Sequence, residues 1–243
     1  MFSEKIKYQT KRIFQFPRVI TTLKWSWKIA LLIFVMDTGY LIGIWPDWSI
    51  YENGPVQQSN FIRNYISEHP THKDWPDLRW QPVSFNDIPK QLLHAIIVAE
   101  DARFYSHGGI DTEALKQVME YNFAKKSFIY GGSTITQQTI KNIFLSPSRN
   151  PLRKWHEFVL TIGMERNLSK KRILTLYMNI AEFGRGLYGV NTASYYYWGI
   201  PASDLSQQQA IELAATLSAP VKHNPHTRTQ YFLSRVKKIE RYY

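Results

Sequence analysis

Two short stretches hold most of the chemistry-bearing residues of this sequence. One is Glu100-Asp101-Ala102-Arg103-Phe104-Tyr105-Ser106-His107-Gly108-Gly109; the other is Gly131-Gly132-Ser133-Thr134-Ile135-Thr136-Gln137-Gln138. Such dense polar groups make a poor core and a good grip on an oxygen-rich substrate. Glu100 ends an apolar run, where partial desolvation raises a carboxyl pKa and makes a base usable near neutral pH. The same position also suits a plain solvated acid. Asp101 points in another helical direction and suits orienting a neighbour or capping the turn. Phe104 and His107 lie three apart and suit packing and hydrogen-bonding that turn.

The second stretch also reads as a phosphate cradle, because glycines free backbone N–H groups at a helix start. It is not a Walker loop, since no Gly-Lys-Ser/Thr ending follows. Lys141 comes four residues after Gln137 and shares its helix face. Arg153 stands four before Glu157 and Lys154 three before it. Pairs at this spacing are usually solvated bridges worth about 0.2–0.5 kcal/mol. Taken together, these residues offer two glutamates, three cations and a hydroxyl-rich loop. Glycosyl transfer from a diphosphate needs that set: a base for the attacking hydroxyl and positive charge for the departing pyrophosphate.

These groups need a frame, and 243 residues with 44% apolar content can build one medium domain plus an appendage. Cysteine is absent, which excludes disulfides, thiolate nucleophiles and cysteine metal sites. The net charge of +11 suits anionic lipid or a phosphate-bearing substrate. No zinc-finger or RNA-recognition pattern is present, so nucleic acid is not expected as a partner.

Residues 29–45 form the one long apolar run, with Trp25, Trp27, Trp45 and Trp48 as an interfacial aromatic belt. Lys5, Lys7, Lys11, Arg12, Arg18, Lys24 and Lys28 precede it against Glu4 alone. The positive-inside rule then puts residues 1–28 in the cytoplasm and the bulk of the chain outside. A cleaved signal peptide is the alternative, but no small-x-small site follows the run. Asp37 sits at mid-span, where a carboxylate costs about 2.5–3.5 kcal/mol.

Residues 46–85, with five prolines, read as a connector to a domain spanning 86–243. Asn86-Asp87-Ile88-Pro89 supplies a helix start, and the helix ends at Glu100. Further helices are expected from Asp111 to about Ala124 and from Thr134 to Leu145. Residues 125–130 read as a joining segment. Another helix starts at Asn150-Pro151, with Trp155, Phe158, Val159 and Ile162 facing the core. Ser169 caps the next, whose inner face carries Ile173, Leu174, Tyr177 and Met178. Gly184, Gly186 and Gly189 punctuate the turn that follows. Ser206 and Gln209 form a capping box, and residues 228–241 a final basic helix. Strand alternation is not evident, so the domain is expected to be all-α.

Glu-Asp-x-x-Phe-x-x-His-x-Gly at 100–109 and Gly-Gly-Ser-Thr-Ile-Thr-Gln-Gln at 131–138 resemble the first two motifs of the peptidoglycan glycosyltransferases. The third, Arg-Lys-x-x-Glu, matches Arg153, Lys154 and Glu157. The fourth matches Ile173-Leu174, Tyr177-Met178-Asn179 and Gly184 through Gly189. A weaker fifth lies in Glu212-Leu213-Ala214, Ala219-Pro220 and Asn224-Pro225. The resemblance covers roughly residues 75–240. It implies a mainly α, lysozyme-like domain held at the membrane by a single-pass N-terminal helix. The implied reaction polymerises the lipid-linked disaccharide-peptide precursor, lipid II, into β-1,4 glycan with inversion and release of undecaprenyl diphosphate.

The resemblance further implies that Glu100 is the general base and that Glu157 assists the leaving group, through a divalent cation such as Mg or Mn. No organic cofactor is implied. Lys141, Arg153 and Lys154 would bind the diphosphate. Asp101, Ser133, Thr134, Thr136, Gln137 and Gln138 would belong to the substrate site, and Phe104, His107, Gly131, Gly132 and Asn179 would be structural. The implied partners are lipid II, the growing glycan, membrane phospholipid and other cell-wall synthesis or division proteins. The implied location is the bacterial inner membrane, catalytic domain periplasmic. In the family, the region between the first two motifs faces the membrane.

Thr175 departs from the family, which often carries Glu there. Ser234-Arg-Val-Lys237 mimics a transpeptidase nucleophile motif by chance, and the chain resembles the monofunctional form. Two rival readings remain: a lysozyme-like glycan-cleaving enzyme, in which the cations would be idle, and a non-catalytic membrane scaffold for wall enzymes.

Overall fold

The computed structural model describes residues 16–125, 132–148 and 150–243. Gly131, the segment 126–130 and the basic residues Lys5, Lys7, Lys11 and Arg12 lie outside the described residues. The chain divides into two compact units, meeting at Pro46 and Asp47.

The first unit is helix α1, Phe16–Gly43. Its part from Trp25 to Gly43 is long and apolar enough to cross a membrane, and none of that window is buried. That candidate window overlaps the expected 29–45 run and is shifted a few residues toward the N-terminus. Thr38 returns its hydroxyl to the Phe34 carbonyl at 2.8 Å, which satisfies it inside the helix.

The second unit is mainly helical, as expected, with one small sheet. Residues 47–85 are part of its fold and not a connector. They form α2 (Trp48–Asn53), α3 (Asn60–Glu68) and β1 (Arg79–Trp80). Ile62 and Tyr65 are buried, and Phe61, Trp75, Leu78 and Trp80 close around them and Tyr188. Prolines at 46, 55, 70, 76 and 82 punctuate these short elements instead of marking a free linker.

Helix α4 runs Lys90–Glu100. Pro89 is its N-cap and not a first-turn residue, because Ser84 and Asp87 close a separate 3₁₀ turn with a capping box. Then come α5 (Thr112–Lys125), α6 (Ile135–Phe144), α7 (Pro151–Asn167) and α8 (Lys170–Ile180). After the hairpin β2 (Glu182–Gly184) and β3 (Leu187–Tyr188) follow α9 (Val190–Trp198), α10 (Gln207–Thr216) and α11 (Gln230–Tyr242). The helix starts anticipated at Asn150, Ser169 and Ser206 each accept a backbone N–H of their helix's first turn, and Thr134, expected inside its helix, is the N-cap of α6.

Among the described residues there are three strands, each only two or three residues long and too short for alternation to register in a sequence. Their order is β1-β3-β2, with β1 parallel to β3 and β2 antiparallel to it. Asn179, fully buried on α8, stitches the sheet's approach to the helices. Its amide accepts from Val83 N at 2.7 Å and donates to Val83 O at 3.0 Å, and its carbonyl takes the Trp80 indole at 2.8 Å. Thr175, one turn earlier, is buried and turns its hydroxyl to the Lys171 carbonyl at 2.8 Å, so it acts inside the helix.

One expected face is reversed. On α7, Trp155 and Phe158 are 48% and 38% exposed and stack on each other, while His156, Glu157, Leu160, Thr161 and Met164 are buried. The apolar spacing in the sequence marks the outer face of this helix; the inner face carries the charged residue.

Candidate active site

Helix α4 delivers Glu100 at its last turn because its apolar positions Leu92, Ala95 and Ile96 are buried, and it packs on α10 and α11. Glu100 Oε2 accepts from Gln138 Nε2 at 2.9 Å on α6, and Oε1 from Arg235 Nη2 at 2.7 Å on α11. Gln138 is held in turn by the Tyr177 hydroxyl, which donates to its Oε1 at 3.1 Å. Burial pushes the Glu100 carboxyl above the ordinary range, against the opposing pull of Arg235, Gln138 and Lys141; Asp101 adds to the rise. The neighbouring Tyr177 phenol is pushed well up by burial and by Glu100.

Asp101 is buried and fully committed within the protein. Its Oδ2 accepts from Ile135 N at 3.0 Å, capping α6, and its Oδ1 lies 2.9 Å from His107 Nε2. His107 Nδ1 accepts from Gly109 N at 3.1 Å, so its Nε2 carries the proton and donates to Asp101. Gly109 holds φ +91°, and a Cβ there would stand 2.7 Å from side-chain atoms of Thr161 and Glu165. Phe104 is buried beneath the Lys170 ammonium, 4.3 Å from the ring centroid.

The hydroxyl-and-amide row divides its labour. Thr134, Thr136 and Gln137 are buried. Thr134 donates to Gly109 O at 2.6 Å and shares a capping box with Gln137. Thr136 donates to Glu165 Oε1 at 2.5 Å. Ser133, by contrast, accepts from Lys154 Nζ at 3.1 Å, and Gln138 grips Glu100. Three of the row's five residues thus bond within the protein around α6, and two touch the charged groups. A Cβ on Gly132 would come 3.3 Å from the end of the Leu115 side chain, a tight but yielding contact.

Glu157 is no surface bridge, being only 3% exposed in its side chain. Arg153 Nη1 donates to its Oε2 at 3.0 Å, and Lys154 Nζ contacts its Oε1. The Nε of Arg153 is buried with no acceptor among the described residues, as is that of Arg235. Lys141 carries the most telling position. It feels the charges of Glu157, Arg153, Lys154 and Glu100 together, and burial lowers its pKa. Apart from a contact over the Phe61 ring at 5.6 Å, its ammonium has no partner among the described residues. Both acids and all three cations therefore share one region.

Sequence reasoning missed Arg235 and Glu182. Arg235 was legible only as one charge of a basic final helix. Glu182 opens β2, where burial pushes its carboxyl up to about 7 against Arg185 and Lys141. Its signal was a lone acid inside the run Asn179 to Gly184.

A divalent cation does not fit a site made by these residues alone. Glu157 is already paired with two cations, Arg153 and Lys154, and Glu100 with Arg235, so neither acid has negative charge to spare for a divalent ion. Asp101, His107 and Asp111 lie close enough to share an ion. Asp111 is spent on Ala114 N at 2.8 Å and on Arg103, and His107 offers no free lone pair.

Replacing Arg235 with Gln removes the strongest influence that lowers the Glu100 pKa. A base works only when deprotonated, so the acid limb of the rate–pH profile is expected to move to higher pH in Arg235→Gln. Lys141, Asp101 and Tyr177 still face the carboxyl and set where the limb then falls. An unmoved limb would remove Arg235 from the site.

Residues 69–242 match a family model described as Transglycosylase. The chain is 35% identical over 224 residues to a biosynthetic peptidoglycan transglycosylase of Methylobacillus flagellatus, covering 91% of this chain and 96% of the relative. It is 33% identical over 216 residues to one of Nitrosospira multiformis, covering 89% and 94%. It is 43% identical over 189 residues to one of Bordetella avium, covering 76% and 79%.

Proposed function

Because the chain belongs to the transglycosylase family and is a peptidoglycan glycosyltransferase, we propose that it polymerises lipid II into β-1,4 glycan at the outer face of the bacterial inner membrane. The observation that carries this reading is the Lys141 ammonium, which feels the charges of Glu100 and of the Glu157–Arg153–Lys154 group together and has no hydrogen bond or close ion pair among the described residues.

Glu100 takes the proton of the acceptor sugar's 4-hydroxyl. Burial raises its basicity, and Arg235 and Gln138 fix its direction. As the acceptor oxygen attacks the anomeric carbon, negative charge builds on the departing diphosphate. Lys141, Arg153 and Lys154 stabilise that charge, and the unsatisfied Arg153 Nε is one donor left for it. Glu157 holds Arg153 and Lys154 in position. Attack opposite the leaving group inverts the anomeric centre, giving a β linkage from an α-linked donor. The diphosphate leaves with its undecaprenyl lipid in the bilayer.

The orientation follows from charge. Basic residues precede α1 and tryptophans flank its apolar part, which supports a cytoplasmic N-terminus and a periplasmic domain. Phospholipid is then a contact of the anchor, and other cell-wall synthesis or division proteins are natural neighbours.

Incubation with lipid II and, separately, with finished glycan tests the reaction. The expected result is lengthening of the first and no cleavage of the second. Cleavage of finished glycan without lengthening of lipid II would replace synthesis with hydrolysis.

A further inference from the structure

Beside the β2–β3 hairpin lies a cavity of about 350 Å³ that none of the steps above uses. Its walls include Asp77, Arg79, Arg185, Tyr196, Tyr197 and His226. The volume is in the range of small-ligand sites.

Arg79 and Arg185 are each laid on an aromatic face. The Arg79 guanidinium carbon is 5.4 Å from the Tyr196 ring centroid, and that of Arg185 is 5.0 Å from Trp75. Neither guanidinium has a hydrogen bond or close ion pair among the described residues; Arg185 feels Glu182 only as a more distant charge. Stacking fixes a guanidinium plane while leaving its N–H edge open, the arrangement that takes a carboxylate bidentately.

The hairpin tip is held rigidly. Gly186 has φ +68°, and a Cβ there would stand 2.5 Å from the Tyr65 hydroxyl. Its carbonyl accepts Arg79 N at 2.8 Å, so one turn positions both arginines. Among the cavity's neutral polar groups, Asn224 binds Pro220 O, His226 N and Thr227 N, Thr227 returns to Asn224, and Tyr197 gives its hydroxyl to Phe183 O. What remains for a ligand is the two guanidinium groups, the Tyr196 hydroxyl and the His226 ring, with Asp77 exposed.

We propose that this cavity is a peptide subsite, in which Arg79 and Arg185 hold a carboxylate of the peptide borne by the glycan precursor or strand. This rests on the reading of the chain as a polymerase of a disaccharide-peptide. A phosphate is the poorer occupant, because Asp77 opposes a multiply charged anion. The same Asp77 suits an amine on the ligand, and the tyrosines suit its apolar side chains.

The test titrates the full chain in detergent with a synthetic pentapeptide containing one lysine and a free C-terminal carboxylate, and with its C-terminal amide. The free acid is expected to bind at least ten-fold more tightly than the amide. Arg79→Gln and Arg185→Gln should each weaken the acid at least ten-fold, while the exposed, charge-matched control Lys237→Gln leaves it unchanged. Equal binding of acid and amide, no saturable binding, or indifference to both arginine variants would overturn the subsite. Inorganic phosphate displacing the peptide more strongly than acetate would also overturn it, by reassigning the cavity. Lipid II polymerisation by the parent protein is measured in parallel. A polymerase that ignores the peptide rejects the subsite alone, whereas peptide binding without glycan synthesis rejects the reading of the catalytic groove.

Discussion

Glu100→Gln is expected to lower the initial rate of lipid II polymerisation by about 10²–10⁴, the usual contribution of a positioned base. The substitution keeps the shape of the side chain and one acceptor oxygen, but an amide cannot take a proton. Because the parent carboxyl is held above its ordinary pKa by burial, its ionised form is disfavoured by the folded protein. Any stability tied to protonated Glu100 is therefore present at low pH and is lost as pH rises through the elevated folded pKa. The Gln side chain carries no such charge at neutral pH. One of its two donors, Arg235 or Gln138, then loses an acceptor, which offsets the gain. Thermal unfolding should therefore place the variant within a few degrees of the parent, and the loss of rate is chemical. Polymerisation at the parent rate would remove Glu100 as the base; a lost rate with a collapsed Tm would leave folding as the cause.

Lys141→Met should separate catalysis from stability in the opposite direction. Burial lowers the Lys141 pKa, so below its folded pKa the folded protein bears a cost for that charge, and the cost disappears as pH rises through it. Methionine keeps the aliphatic stem near Phe61 and removes the charge. A Tm at or above the parent's is expected at neutral pH, together with a rate loss of about 10²–10³ for one missing donor to the leaving group. Arg153→Ala is the less clean choice, since stripping one partner from buried Glu157 typically costs about 3–5 kcal/mol in folding. If Lys141→Met turns over normally once bound to substrate, the ammonium only touches head groups and the diphosphate assignment falls.

How far the sequence could be read depended on the range of the interactions. Asn150, Ser169 and Ser206 act on their own helices within three residues, and each was legible as a helix start. Glu157 illustrates the limit of that approach. Its spacing to Arg153 and Lys154 is visible locally, yet whether such a trio is surface or interior depends on which face α7 turns inward. The apolar positions Trp155, Phe158, Val159 and Ile162 pointed the wrong way. They are the more exposed face, and Leu160 and Met164 supply the packing that buries Glu157. Thr134, Thr136 and Gln137 were read as substrate contacts because free polar side chains and spent ones look alike in sequence. The partners of Thr134 and Thr136, Gly109 and Glu165, lie more than twenty residues away, and Gln137 turns back on Thr134. The β strands failed for a different reason: two-residue strands carry no periodicity, and β1 finds β3 only through the fold.

The Glu100–Arg235 contact has a consequence for how the protein comes into being. The two residues are 135 positions apart, and chains are made and exported from the N-terminal end. On the proposed topology, a nascent chain that has delivered α4 still lacks the cation that pairs with Glu100. Linking that carboxylate to so late a helix leaves its charge unpaired until α11 has emerged, so the finished arrangement around Glu100 forms only with the end of the domain.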